Sequence, residues 1–287
     1  MQKQSLFTNR QAILATMHKK EQVIAPIFKE ELGMEVIIPA DFNTDIFGTF
    51  SREIQRVGTQ IEAARCKAEK ALEITGGKIA IASEGSFIPH PHLPYISSNQ
   101  EIVILIDKEQ DLEIIGEEFS IETNHNHQVV QNLEEAFIFA KKVGFPEHGL
   151  IIMFNENPQD THEVFKGINT EEKLIEAVDF TLKNSPTGKA HIETDMRAMY
   201  NPTRMKNIEK ATRNLITKIK SSCPRCATPG FQIMGRIPGL PCAMCNSPTL
   251  LTKAVIYQCQ RCGFKQEKSF PDGIEFADPG QCMYCNP

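Results

Sequence analysis

The chain has 287 residues, a formal net charge of −5 and a hydrophobic content of 41%. A chain this apolar is not intrinsically disordered, and its acidity argues against a basic surface for nucleic acid over the whole molecule. The first 20 residues contain no apolar stretch of signal-peptide length, and the longest aliphatic run, residues 103–106, is too short to span a bilayer. We therefore expect a cytoplasmic protein without a membrane segment.

Strand and helix patterns alternate along residues 1–220. Strand patterns occur at 12–15, 35–38, 78–82, 101–107, 112–119, 149–154 and 190–193, and helix patterns at 20–32, 59–74, 133–144, 170–183 and 203–220. Residues 41–57 have a loop-like composition, and the segment SEGSF at 83–87 is predicted to turn at the end of the preceding strand. This alternation predicts an α/β or α+β domain with helices packed on a sheet.

Cysteine is distributed very unevenly between the two ends of the chain. Eight of the nine cysteines follow Ser222 as four Cys-x-x-Cys knuckles, and only Cys66 lies elsewhere. The sequence therefore predicts two domains, an α/β domain at residues 1–220 and a thiol-rich module at residues 221–287.

The knuckles have the spacing of metal ligands. The cysteines concerned are Cys223, Cys226, Cys242, Cys245, Cys259, Cys262, Cys282 and Cys285. Two knuckles supply the four thiolates of one structural zinc ion, so four knuckles predict two Zn²⁺, with iron as the main alternative. Sequential, nested and interleaved pairings of the knuckles all close plausible loops, and we favour sequential pairing. Four Cys ligands leave no open coordination position, which predicts a structural role for the metal.

The charge of this module bears on its partners. Residues 221–287 contain six Lys or Arg and four Asp or Glu, and eight thiolates with two Zn²⁺ bring the formal charge to about −2. An acidic module is a poor ligand for phosphates. A structural role or the docking of a protein partner is therefore favoured over direct binding of nucleic acid.

Two polar clusters in the first half of the chain follow a strand or begin a helix. Thr16 to Lys20 follow the first strand and could bind a phosphate through backbone N–H groups, a hydroxyl and a cation; an ordinary solvated turn is equally consistent. Thr59, Glu62 and Lys67 lie on the second helix, where a solvated charged face is the alternative.

Two further clusters lie at a strand end and at the start of the last helix. Glu84 between Ser83 and Gly85 is suited to hold Mg²⁺ or to act as a base. Asp195, Arg197 and Arg204 surround the turn into the last helix, which Asn201-Pro202-Thr203 could equally mark as a simple helix start. The cations of that helix are interpreted mainly as a solvated face, and RNA binding is the minority interpretation.

These motifs, taken in order, resemble the inosine/xanthosine triphosphate pyrophosphatase superfamily over residues 10–220. The family pattern Thr-x3-Lys is matched by Thr16 and Lys20, and its helix pattern by residues 59–68, where Gln60 stands in place of a Phe. Its acidic turn is approached by residues 83–85. The whole chain, with the segment NPTRM and the terminal knuckles, also resembles a bacterial domain-of-unknown-function family.

The resemblance to the pyrophosphatases implies a mixed sheet flanked by helices and a Mg²⁺-dependent hydrolase of nucleoside triphosphates or a related phosphate ester. It implies that Glu62 and Glu84 hold Mg²⁺ and act in catalysis with Lys20. The substrate would be bound by Thr16, Lys67, Asp195, Arg197 and Arg204. The alternative is a non-catalytic nucleotide-binding or RNA-processing adaptor that carries zinc ribbons.

Overall fold

The computed structural model describes residues 6–40, 42–44, 58–156, 158 and 161–287. Most of the loop predicted at 41–57 lies outside these residues. The chain divides into two compact units, Met1–Ile216 and Thr217–Pro287. The sequence placed the domain boundary between residues 220 and 221, whereas this division falls inside the last helix of the first unit.

The first unit contains a five-stranded mixed sheet. Its strands are β1 Gln11–Ala15, β2 Glu35–Ile37, β3 Ile79–His90, β4 Leu93–Asp107 and β5 Leu112–Ser120. Their order across the sheet is β2-β1-β3-β4-β5. Strand β1 is parallel to both β2 and β3, whereas β3, β4 and β5 form an antiparallel meander. The hairpin predicted from the runs at 101–107 and 112–119 is confirmed as β4 and β5.

In the described residues, five α-helices follow the predicted periodicity. They are α1 Glu21–Leu32, α2 Gln60–Thr75, α3 Leu133–Val143, α4 Glu171–Asn184 and α5 Pro202–Lys220. Their ends are set by local chemistry: the side chain of Asn132 caps the first turn of α3, and Gly144 ends it in the left-handed conformation. The predicted helices are thus confirmed to within about one residue at each end.

A second sheet of four antiparallel strands completes the first unit. Its strands are β6 His127–Val130, β7 Leu150–Met153, β8 Val164–Ile168 and β9 Ala190–Thr194, in the order β6-β9-β7-β8. Helices α3 and α4 pack on it around Phe139 and Leu174. The described residues of this unit are therefore mixed α/β, with two sheets instead of the one that was expected. Strands β6 and β8 were missed because they are short, half-exposed edge strands without an apolar run.

The prediction of a turn at residues 83–87 was wrong. Strand β3 does not end near Ala82 but pairs with β4 in unbroken register from Ile79 to Pro89, so Ser83 and Glu84 lie in mid-strand. Polar residues and glycine are typical of a turn. Here they occupy buried strand positions because side chains from several other elements hydrogen-bond or form ion pairs with them.

The two faces of the five-stranded sheet are covered by different helices. Ala80 and Ala82 pack against α2 with Ile115 of β5. Because strand side chains alternate between faces, the neighbouring Gly116 is on the other side. There a Cβ on Gly116 would overlap the backbone of α5 at Ala211, so glycine permits the close approach of α5. Helix α2 therefore covers one face and α5 the opposite face.

The second unit contains a three-stranded antiparallel sheet and little apolar core. Its strands are β10 Gln232–Pro238, β11 Thr252–Gln258 and β12 Lys265–Ser269, and β12 is exposed along its whole length. One small cluster comprises Phe231 and two knuckle cysteines, with Tyr257 and Phe264 packed against it. A unit with so small a core needs another source of stability. In the described part of the whole chain, no helix is long and apolar enough to cross a membrane.

Candidate functional site and metal centres

We call the cluster of buried polar residues around the point where β1 ends and β3 continues the crevice. The last paired residues are Ala15 and Ala82, after which the chain leaves β1 through residues 16–20 into α1. After β1 the chain continues to β2, toward one edge of the sheet, and after β3 it continues to β4, toward the other edge. Such a switch point at the carboxyl ends of parallel strands is where open α/β sheets bind ligands.

Lys20 reaches across this switch point. Its buried amine donates hydrogen bonds to the Ser83 hydroxyl at 2.9 Å and the Ser83 carbonyl at 3.3 Å. Burial, reinforced by the nearby charges of Arg204 and Lys67, lowers the pKa of Lys20 to about 7. The amine therefore exchanges a proton near neutral pH.

Two buried ion pairs flank the crevice on opposite faces of the sheet. On the α2 face, the Lys67 amine lies 2.5 Å from Oε1 of Glu84. On the α5 face, Nε of Arg204 lies 2.7 Å from Oε1 of Glu101, which is on β4. Arg204 also donates to the carbonyl of Met196 at 2.6 Å. Each carboxylate is thus held by a cation from the helix that covers its face.

Amides extend the pair on the α5 face into a network. Asn99 donates to Oε1 of Glu101 at 3.0 Å, and Asn207 donates to Oδ1 of Asn99 at 2.8 Å. Gly85 lies beneath this network, and a Cβ there would overlap both Arg204 and the Glu101 carboxylate. A side chain at this position would therefore displace Arg204 or Glu101 from their present positions.

Gln60 links α2 to β3 and β4 through hydrogen bonds. Its side-chain amide donates to the carbonyls of Glu84 at 2.8 Å and Gln100 at 2.9 Å. The residue that departs from the pyrophosphatase pattern thus bonds to the backbone of β3 and β4 beside the crevice.

His18 marks where the positive charges converge. Burial lowers its pKa to about 3, with further contributions from Lys20, Arg204, Arg197 and Lys67 in that order. A histidine this depressed is neutral at physiological pH. Four cations from four different segments of the chain therefore act on one position in the loop after β1.

Asp195 and Arg197 form a bidentate pair. Arg197 donates to the two oxygens of Asp195 at 3.0 and 2.6 Å, and the carboxylate also accepts the Gly167 N–H at 3.1 Å. Asp195 is fully buried. In this arrangement the carboxylate orients Arg197 and neutralises its charge.

The remaining charges of the crevice do not cancel. Three buried cations, Lys20, Lys67 and Arg204, face two buried carboxylates, Glu84 and Glu101. Both carboxylates already have a cation, and Lys20 has only the neutral Ser83 as a hydrogen-bond partner among the described residues. The crevice thus carries one formal positive charge in excess when Lys20 is protonated, which favours an anionic ligand.

The structure brings together four of the eight residues predicted for the catalytic and substrate site. Lys20, Lys67, Glu84 and Arg204 belong to the one buried cluster, and Thr16 is buried at the start of the loop that carries Lys20. The sequence analysis named Ser83 beside Glu84 but missed Glu101, Asn99 and Asn207 as members of the cluster. Glu101 is separated from Arg204 by 103 positions and precedes an aliphatic run, so no local pattern could identify it.

Glu62 lies outside the cluster. Its side chain is exposed and accepts the Thr59 N–H at 2.7 Å, forming a capping box at the start of α2. Among the described residues, the groups of three or more His, Cys, Asp or Glu that could hold a metal ion are two sets of four cysteines. Neither Glu62 nor Glu84 is in such a group.

The eight knuckle cysteines form two four-cysteine centres. One consists of Cys223, Cys226, Cys259 and Cys262, and the other of Cys242, Cys245, Cys282 and Cys285. The favoured sequential pairing was wrong, because the first knuckle joins the third and the second joins the fourth. The antiparallel sheet explains this: Gln232 pairs with Gln258, which brings the start of β10 to the end of β11, and Ala254 pairs with Ser269, which brings the end of β12 to the start of β11.

The geometry of both centres fits zinc. Tetrahedral Zn–S bonds of about 2.3 Å place sulfur atoms about 3.8 Å apart. The Sγ atoms of Cys223 and Cys262 are 3.7 Å apart, and those of Cys242 and Cys285 are 3.8 Å apart. The other two close pairs, Cys226 with Cys259 and Cys245 with Cys282, are each separated by 3.6 Å.

The thiol chemistry is also that of a metal site. Hydrogen bonds with Thr228 lower the pKa of Cys226 to about 6, whereas desolvation and contacts with neighbouring sulfurs raise the pKa of Cys262 to about 12. Four adjacent thiols cannot all ionise without a cation between them. The two centres could therefore each hold a metal ion, and all four ligands in each are thiolates.

The fold and these centres define a mixed α/β unit followed by a unit with two four-cysteine metal centres. Residues 67–287 match the family described as Domain of unknown function (DUF6671), and the chain belongs to this family. The matched segment includes Lys67, Glu84, Arg204 and all eight knuckle cysteines, and it begins after Thr16 and Lys20. A comparison with curated proteins gave no match.

Proposed function

We propose that the first unit binds a phosphorylated small molecule in the crevice and hydrolyses it, as a nucleoside triphosphatase or a hydrolase of a related phosphate ester. The observation that carries this proposal is the excess buried cation, Lys20, which donates to Ser83 at a topological switch point. A phosphate would supply the missing negative charge and accept hydrogen bonds from the amine.

The size of the effect supports a charged ligand. Lowering the pKa of Lys20 from 10.5 to about 7 means that the fold disfavours the charged amine by about 5 kcal/mol. An anion beside the amine would recover part of this free energy. Binding should therefore be coupled to the uptake of a proton by Lys20.

The same amine supports hydrolysis. A group with a pKa near neutrality is suited to transfer a proton to or from a reacting phosphate. Neighbouring cations stabilise the negative charge that spreads over a transferred phosphoryl group. The resemblance of residues 10–220 to the triphosphate pyrophosphatases leads to the same expectation.

Magnesium enters this proposal with the substrate. Glu84 is paired with Lys67, and Glu62 caps α2. Triphosphate oxygens are themselves good ligands for Mg²⁺, which usually keeps few protein ligands. We therefore propose that Mg²⁺ arrives as the triphosphate complex and is not bound beforehand by Glu62 and Glu84.

A direct assay tests the proposal. The zinc-loaded protein would be incubated with Mg²⁺ and standard, deaminated or oxidised nucleoside triphosphates, and the release of pyrophosphate or phosphate would be measured. We expect turnover of at least one substrate and its loss in Lys20→Met, while Lys29→Met, at an exposed position of α1, stays active. No turnover in the wild type would contradict hydrolysis.

A non-catalytic role is the second candidate. It is favoured by the ion pairs of Glu84 and Glu101, because a paired carboxylate is a weak general base. Tight binding of a triphosphate without turnover, at every pH between 6 and 9, would support this adaptor function.

We further propose that the second unit holds two structural Zn²⁺ ions, one in each four-cysteine centre. The sulfur separations match tetrahedral zinc bound by four thiolates, and the apolar core around Phe231 is small. The ions would supply the stability that this core does not.

A further inference from the structure

The second unit contains a cavity of 630 Å³ with largely apolar walls. Of the residues that line it, Leu240 and Ala277 are buried, whereas Ile274 and Phe276 are 56% and 51% exposed. Large apolar side chains that stay exposed around a concave surface mark a site of interaction with another molecule. The volume is within the range of about 300 to 1,000 Å³ that binding cavities occupy.

The exposed wall of this cavity is acidic. Residues 272–278 include three acids, Asp272, Glu275 and Asp278, and no Lys or Arg. Asp272 and Asp278 line the cavity, and none of the described residues that line it is basic. The Asp278 carboxylate is held in place because it accepts the Gly280 N–H at 2.7 Å. An anionic rim around an apolar cavity fits an occupant that combines an apolar side chain with cations.

The cavity lies beside one of the two four-cysteine centres. We call it the second centre, and it consists of Cys242, Cys245, Cys282 and Cys285. The Ala243 N–H, inside a knuckle of this centre, donates to the Ala277 carbonyl at 3.0 Å, and the Ala277 N–H donates to the Pro241 carbonyl at 2.8 Å. Both alanines line the cavity. A metal ion in the second centre would therefore hold the acidic segment against the knuckle and maintain the cavity.

The first centre, which contains Cys259, is far from the cavity along β11. Leu251 and Thr252 line the cavity at the start of β11, whereas Cys259 directly follows the last residue of this strand. A strand rises about 3.3 Å per residue, so the seven residues of β11 span about 20 Å. Loss of the first centre therefore need not disturb the cavity.

We propose that this cavity binds a segment of a partner protein in which an apolar side chain is flanked by Lys or Arg. The apolar side chain would enter the cavity beside Ile274 and Phe276, and its flanking cations would lie near the carboxylates of Asp272 and Asp278. A nucleic acid fits this surface poorly, because its phosphates would face the same carboxylates. The inference goes beyond the proposed function and rests on it in one respect, since the proposed zinc ion of the second centre maintains the cavity.

Fluorescence anisotropy with synthetic peptides tests the chemistry of the partner. The zinc-loaded protein would be titrated into labelled peptides that carry a central Leu, Ile, Met or Phe with flanking Lys and Arg, and into peptides with the same centres and flanking Asp and Glu. We expect at least one basic peptide to bind about tenfold or more tightly than its acidic counterpart at low salt. This difference should shrink at high salt, where surface charges are screened.

Two matched pairs of variants locate the binding. Ile274→Ser should weaken the tightest basic peptide by about fivefold to tenfold, as expected for loss of one apolar contact. Its control is Ile233→Ser, at an exposed position of β10 that does not line the cavity. Asp272→Asn should weaken the same peptide by about twofold to fivefold, as expected for an exposed ion pair, and its control is Glu267→Gln on the exposed strand β12. Equal losses in a variant and its control would overturn the assignment to this cavity.

Metal-centre variants separate this inference from the zinc proposal. Cys245→Ser with Cys285→Ser should lose one zinc ion and peptide binding, whereas Cys226→Ser with Cys262→Ser should lose one zinc ion and keep the binding. Ile274→Ser and Asp272→Asn keep both centres, and they decide the case if a double variant does not fold.

The remaining outcomes are distinct. If the wild type holds two zinc ions but binds no basic peptide, the docking inference is overturned and the zinc proposal stands. If basic peptides bind to a protein that holds no zinc, the zinc proposal fails and the docking surface stands. Self-association that Ile274→Ser abolishes, or displacement of the peptide by a single-stranded RNA, would also overturn the inference, because the occupant would then be a second copy or a nucleic acid.

Discussion

Replacing Lys20 with Met should have opposite effects on stability and on ligand binding. The charged amine is disfavoured in the fold by about 5 kcal/mol at most, from the lowering of its pKa to about 7. Replacing buried ion pairs by apolar side chains of similar volume is often neutral or stabilising by about 1 to 4 kcal/mol, and we expect the same direction for the buried Lys20 charge. Loss of the hydrogen bond from Lys20 to Ser83 offsets part of this gain. The double variant Lys20→Met with Ser83→Ala should therefore be at least as stable as Lys20→Met alone.

The pH dependence of this gain has a definite sign. Below pH 7 the amine is charged in both the folded and unfolded chains, so the penalty is fully present in the wild type. As the pH rises from about 7 toward 10.5, only the unfolded chain keeps the proton, and the penalty disappears. Urea unfolding of both proteins between pH 6 and 9.5 should therefore show a difference that is largest at pH 6 and shrinks as the pH rises.

Binding should change in the other direction. Loss of one charge-assisted hydrogen bond costs about 1.5 to 3 kcal/mol, so Lys20→Met should bind tripolyphosphate about 10- to 150-fold more weakly. Lys29→Met, at an exposed position of α1, is the control and should match the wild type. A variant that is destabilised at every pH and binds tripolyphosphate normally would refute the reasoning, because Lys20 would then be only a structural residue.

Three further predictions concern the metal centres and the polar network. Metal analysis should find two zinc ions per chain. The double variant Cys223→Ser with Cys259→Ser should keep one zinc ion, whereas Cys223→Ser with Cys242→Ser should keep none. Sequential pairing of the knuckles would reverse these two results. Arg204→Met should lower the free energy of unfolding by about 3 to 5 kcal/mol, because it leaves the buried carboxylate of Glu101 without its cation. A loss below about 1 kcal/mol in urea unfolding would argue against this ion pair. In the nuclear magnetic resonance titration of the free protein, His18 should stay neutral until the pH approaches 3, and tripolyphosphate should raise its pKa; titration near pH 6.5 without ligand would contradict the convergence of cations.

The sequence predicted those features that depend on local patterns. Helix α3 begins after Asn132 and ends at Gly144 because of capping chemistry that acts within a few residues. The hairpin of β4 and β5 follows from two apolar runs and a short turn. Knuckle spacing likewise predicted metal ligands. Each of these signals is contained in a short stretch of chain.

The features it missed depend on distant parts of the chain. Residues 83–87 look like a turn, and only the long pairing with β4 keeps them in a strand. The cation that pairs with Glu101 is Arg204 on α5, far along the sequence. Tertiary packing therefore decides whether this acid can be buried. The pairing of the knuckles follows from the order of three antiparallel strands and not from the loop lengths between them.

Calorimetric titration of the zinc-loaded protein with tripolyphosphate tests the central claim most directly. It would be carried out at pH 7.5 in two buffers with different ionisation enthalpies, with Lys20→Met alongside. The account predicts binding to the wild type with net uptake of protons beyond any uptake in the variant, because the bound anion raises the pKa of Lys20 from about 7. Absence of binding, or equal affinity and proton uptake in the two proteins, would contradict an anion site at Lys20.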